Sequence, residues 1–144
     1  MSWRESLIRI ATYEVETLQK RLKEILDRYD SILKMLDSLD LEAEEEKLRA
    51  RTDASVAWCH PDYVRAWKMR RERMLADLAS VELEAEGARD ALASAFEELK
   101  KIEHVAELAA KQEARETQKR EDAALDEIAL RNASQRPKLS LIHI

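Results

Sequence analysis

The sequence predicts an all-α protein, an antiparallel two-helix coiled-coil hairpin with an overhanging C-terminal helix. Three observations predict it. From Ile8 to Ala43 the apolar positions Ile8, Ala11, Val15, Leu18, Leu22, Ile25, Tyr29, Ile32, Leu36, Leu39 and Ala43 recur at alternating steps of three and four. A mean step of about 3.5 is the signature of a helix packed lengthwise on another helix. After a lapse the same spacing resumes in Val64, Trp67, Arg71, Met74, Leu78, Val81, Ala85, Ala88, Leu92, Ala95, Leu99, Ile102, Ala106 and Ala109. Finally, one glycine and two prolines in 144 residues leave too few turns for a sheet, while 38% charged and 5% aromatic residues match a coiled-coil composition.

The elements follow in order. Ser2 is an N-cap with Glu5 as its capping-box partner, so helix 1 starts near Trp3 and runs to about 52. Around 53–61 the seam lapses. Pro61 disfavours helical geometry at His60 and suits the first position of a new helix, whose positive end Asp62 complements. Helix 2 then runs from about 62 to about 132, where Ser134 and Pro137 end it. Residues 1–132 thus form a single hairpin, and 133–144 a disordered or non-native tail. The last residues, Lys138 to Ile144, are apolar beyond the helix stop and resemble read-through into adapter DNA.

Folding back about the bend pairs residues whose numbers sum to about 114. Leu36 meets Leu78, Tyr29 meets Ala85, Leu22 meets Leu92, and Val15 meets Leu99. The acidic run Asp37, Asp40, Glu42, Glu44, Glu45 and Glu46 then lies beside Arg65, Lys68, Arg70, Arg71 and Arg73. A parallel dimer would set the acidic run against itself, so the antiparallel arrangement is favoured. In this register helix 2 overshoots helix 1, and the overhang from Gln112 to Asn132 is rich in charge. An isolated helix of that kind is marginal in water, which suits an element completed by a partner. Trp3, Leu7 and Ile10 form a small stripe expected to pack on helix 2 in preference to a partner.

Several function classes are disfavoured. A net charge of −5 is opposite to the basic stripe of a nucleic-acid binder. No apolar run approaches the roughly 20 residues needed to span a bilayer. Arg4, Glu5 and Arg9 interrupt any secretory h-region, and the single Cys59 forms no internal disulfide, which points to the cytoplasm. Cys59 and His60 are two ligands where a metal needs three or four, and His104 and His143 are the only other histidines. There is no glycine-rich phosphate loop, and two long helices are expected to enclose no cavity. The carboxylate pairs lie on solvated helix faces, with no desolvation to tune them. The protein is therefore expected to be no enzyme and to need no cofactor. Trp58, Tyr63 and Trp67 cluster at the bend. Trp67 is a seam member, while Trp58 and Tyr63 either cap the hairpin end or anchor an interface.

The C-terminal segment Lys100-Lys101-Ile102-Glu103, followed by Glu113, Arg120-Glu121 and Asp126-Glu127-Ile128-Ala129, resembles the closing signature of the flagellar FliJ family. The start, Trp3-Arg4 with Leu7-Ile8-Arg9-Ile10-Ala11, is similar to FliJ-like chains of alphaproteobacterial type. The resemblance implies a cytoplasmic component of the flagellar type III export apparatus, at the inner-membrane face of the basal body. It implies a two-helix coiled coil like the central stalk of rotary ATPases. Its partners would be the export ATPase, the cytoplasmic domain of the export-gate membrane protein, and export substrates or their chaperones. Carried over by position, Glu113, Arg120, Asp126, Glu127 and Ile128 would contact the ATPase, and Tyr63 and Trp67 the gate. An injectisome stalk of the same architecture and a generic coiled-coil scaffold are the alternatives.

Overall fold

The computed structural model describes the backbone of residues 2–142 and the side chains of residues 2–135. Three helices account for almost all of it: α1 (Trp3–Thr52), α2 (Ala54–Ala57) and α3 (His60–Ile142). No strand occurs among the described residues. By its contacts the chain falls into two units, one of Arg9–Leu99 and one of Met1–Ile8 with Lys100–Ile144.

The helix ends have local causes. Ser2 Oγ accepts a hydrogen bond from the Glu5 amide at 3.2 Å, which satisfies one orphan donor of the first turn of α1. At the far end, Arg49 and Arg51 complement the negative pole, and the Thr52 hydroxyl donates to the Leu48 carbonyl at 3.1 Å. Asp53 leaves helical geometry (φ −130°, ψ 111°) and caps α2, its carboxylate accepting from the Ser55 amide at 3.0 Å and the Ser55 hydroxyl at 2.7 Å. Trp58 and Cys59 form a turn, with the Cys59 thiol donating to the Val56 carbonyl at 3.1 Å. The segment expected as one bend therefore contains a helical turn of its own. His60, expected outside the second helix, is the first residue of α3, with Pro61 next to it where no amide is needed.

The other end of α3 departs from expectation. In place of a stop near Asn132, α3 continues to Ile142. The Ser134 hydroxyl donates to the Arg131 carbonyl at 2.9 Å, so it is satisfied within the helix instead of terminating it. A proline removes one backbone hydrogen bond and bends a helix without necessarily ending it. Of the segment 133–144, expected to be a disordered or non-native tail, residues 143 and 144 and the side chains from 136 onward lie outside the described residues.

Within Arg9–Leu99, α1 and α3 pack along their lengths. Ile25 sits among Val81, Ala85 and Ala88, with Leu22, Leu26, Tyr29 and Ile32 packed against them. Arg28 pairs with Glu84 at 2.9 Å and Asp40 with Arg71 at 3.2 Å. Residue numbers on α3 fall as those on α1 rise, so the two helices of this unit run in opposite directions. Of the cross-helix charge pairs expected here, Asp40–Arg71 is formed. Large residues of α1 face alanines of α3, which brings the axes close.

The nine buried residues are Ala11, Val15, Ile25, Leu36, Leu39, Val81, Ala85, Ala88 and Ala106, and no side chain among the described residues is fully enclosed. All nine belong to the two periodic series. A seam one residue layer thick shields its members from two sides only, so burial stays partial. The Trp3, Leu7 and Ile10 stripe does not pack inward; these side chains are 55%, 43% and 66% exposed. They lie off the seam phase set by Ile8 and Ala11, and a pair of helices covers no second face.

Candidate functional site

Two regions carried the expected interaction residues. In the Arg9–Leu99 unit, α1 and the start of α3 line an open cleft of about 510 Å³, a surface groove and not an enclosed cavity. Asp40, Ala43, Glu44 and Lys47 form one wall, and His60, Tyr63, Val64, Trp67 and Arg71 the other. Its origin lies in the seam. The α1 series shrinks to alanine at Ala43, while α3 still brings Tyr63, Val64 and Trp67 to the opposite wall.

Tyr63 and Trp67, expected at a partner surface, are both half-buried on this cleft. Tyr63 stacks on His60 with ring centroids 6.4 Å apart and planes 16° from parallel. The Arg71 guanidinium sits 5.9 Å from the Trp67 ring centre while its Nε donates to Asp40 Oδ1 at 3.2 Å. That contact explains how an arginine occupies a seam position: its stem packs, its plane covers an aromatic face, and its charge reaches a carboxylate. Trp67 Nε1 and His60 Nδ1 are shielded and have no hydrogen-bond partner in the protein. Trp58 projects outward, 77% exposed.

The second region lies in the unit of Met1–Ile8 and Lys100–Ile144. Here Ala106 is buried, and from Ala110 to Gln135 every residue is exposed. The helix is supported by pairs along its own surface. Glu107–Lys111 (3.1 Å), Glu116–Arg120 (4.0 Å) and Glu127–Arg131 (2.8 Å) each place the acid one turn before the base, the favourable order along the dipole. Gln118 donates to Asp122 at 3.0 Å in the same manner. Such pairs contribute about 0.2–0.5 kcal/mol each in an isolated helix. Of the expected contact residues, Arg120 and Glu127 thus already hold partners on α3. Ile128 is 52% exposed, with Leu125 one turn earlier also bare.

Glu113 has a different setting. Its Oε2 accepts from Arg4 Nη2 at 2.8 Å, and the Arg4 guanidinium lies 5.8 Å from the Trp3 ring centre. The hydrogen bond to Arg4, reinforced by its positive charge, holds the Glu113 carboxyl below the usual carboxylate range. The same bond raises Arg4, opposed in part by desolvation. Sequence reasoning singled out Glu113 and missed Arg4. The signal was available: stepping back four residues from Ile8, and forward four from Ala109, places Arg4 and Glu113 on the two seams.

Among the described residues no helix is long and apolar enough to cross a membrane, and no group of three or more His, Cys, Asp or Glu is placed to hold a metal ion.

The family described as Flagellar FliJ protein matches residues 5–138. Two curated relatives, each named "Flagellar FliJ protein" and from Caulobacter vibrioides strains NA1000 / CB15N and ATCC 19089 / CIP 103742 / CB 15, are 46% identical to this chain over 132 residues. The matched segment covers 92% of this chain and 95% of each relative. No solved structure matches the chain significantly.

Proposed function

The chain belongs to the flagellar FliJ family, and from that premise we propose that it is a non-enzymatic, cytoplasmic component of the flagellar type III export apparatus. In this reading α1 and α3 form an antiparallel coiled-coil hairpin whose C-terminal arm overhangs. The overhang contacts the export ATPase, and the region of Tyr63 and Trp67 meets the cytoplasmic domain of the export gate. The protein then acts mechanically, promoting ATPase assembly and coupling nucleotide-driven changes of the ATPase to export, with export substrates or their chaperones as further partners. Membership of a flagellar family favours this over an injectisome stalk or a generic scaffold.

The observation that carries the proposal is the exposed stretch from Ala110 to Gln135. An exposed helix studded with charge and bearing Leu125, Ile128 and Leu130 gains little from standing alone in water. Burying those apolar side chains on a partner would contribute stabilisation that the chain itself does not supply. Reversing Asp126 and Glu127 together to lysine tests it: stimulation of the purified ATPase should fall severalfold. Stimulation equal to that of the unmodified protein rejects their role.

A further inference from the structure

The Arg4–Glu113 pair differs from Arg71–Asp40 in that both of its members, and not the arginine alone, lie on the seams. Both residues occupy seam positions, where the flanking members Ile8, Ile102, Ala106 and Ala109 are apolar. The Arg4 side chain is only 21% exposed, and its Nη1 is shielded without an acceptor while Nη2 bonds Glu113 at 2.8 Å. A polar pair at a seam position adds little to stability and instead discriminates between registers.

The neighbouring sequence makes that discrimination specific. A heptad seam slipped by seven residues toward Ala106 still pairs apolar with apolar, and the small members Ala106 and Ala109 offer little shape to resist it, whereas a slip toward Arg120 runs past Ala109, the last apolar member of the α3 series. Seven residues on one side of Glu113 stands Ala106, and seven on the other stands Arg120. Slipping one way therefore sets the Arg4 cation on an alanine in place of the carboxylate of Glu113, and slipping the other way sets it against a second cation. Both are unfavourable, by desolvation and by like-charge repulsion respectively.

We propose that Arg4 and Glu113 are the register-determining pair of the unit formed by Met1–Ile8 and Lys100–Ile144, fixing the residue of α3 at which its pairing with α1 ends. This deepens the proposed function, because that residue sets how much of α3 is left for a partner. It is tested on the protein alone, so its failure and the failure of the export assay are distinguishable.

The experiment measures spin–spin distances between labels at E5C and K111C in a C59S background, both labelled residues being exposed. The unmodified pair should give one narrow distribution. R4L keeps the seam apolar and the helices folded, yet should add a second population at longer distance, because a slip of one heptad offsets the two labels by about 10 Å along the helix axis. E113R should do the same, and the exchanged pair R4E/E113R should restore a single population. A single unshifted distribution in R4L, whatever its melting temperature, overturns the proposal. Failure of the exchanged pair to restore one population overturns it as well.

Discussion

Arg71 Nε donates to Asp40 Oδ1 across 3.2 Å, joining α3 to α1 beside the Trp67 ring. Both side chains remain more than a third exposed, so solvent screens the pair. D40N should therefore cost at most about 0.5 kcal/mol. R71A should cost about 1 kcal/mol, because it also removes the aliphatic stem and the cation over the indole. Urea melts of both variants and of the double variant check this. A coupling energy well above 1 kcal/mol would show that the pair is worth more than its exposure allows.

Ile25 of α1 is buried, with Val81, Ala85 and Ala88 around it. I25A should destabilise by about 2–4 kcal/mol, since a seam of one layer has few neighbours able to close a void. Overfilling the opposite wall with A85L should cost about 1–3 kcal/mol by forcing the axes apart. Chemical denaturation followed by circular dichroism reads both.

Ile128 supplies the contrast. It is half exposed, within a stretch of α3 where every residue from Ala110 to Gln135 is exposed, so I128A should move the melting temperature by less than about 2 °C. Under the proposed function the same substitution weakens ATPase stimulation. A large loss of stability would show instead that this part of α3 has a structural partner.

The pH dependence follows from Glu113, whose carboxyl is held low chiefly by the hydrogen bond from Arg4. A depressed folded-state value means stability that is fully present above the ordinary carboxylate pKa, about 4.3, and is lost as pH falls through the folded value. Wild-type protein should therefore lose stability on acidification below about pH 4.3 more steeply than E113Q, and the two should run parallel from pH 5 to 8. Thermal melts across pH 2–8 check the difference.

The α2 cap gives a local prediction. Asp53 is held below its usual value by the Ser55 hydroxyl and amide. D53A should remove that cap and loosen the turn before α3, read as faster hydrogen exchange at the amides of Ser55 to Ala57 with little change at Ile25.

Local periodicity alone determined much of this protein. The alternation of threes and fours named the face of each helix that is buried, so all nine buried residues lie on the two series read from the sequence. Ser2 and Pro61 likewise act through neighbours a turn away or less. Choice of partner lies beyond such information. Asp40 reaches across to Arg71 while Glu46 pairs with Arg49 on its own helix, and Glu113 is engaged by Arg4, more than a hundred residues away in the chain. Trp3, Leu7 and Ile10 stay exposed, and a cleft opens where Ala43 faces Trp67 and Tyr63. Those outcomes depend on the stagger, rotation and separation of two packed helices. A repeating seam leaves stagger nearly degenerate, so only contacts between distant residues could decide it.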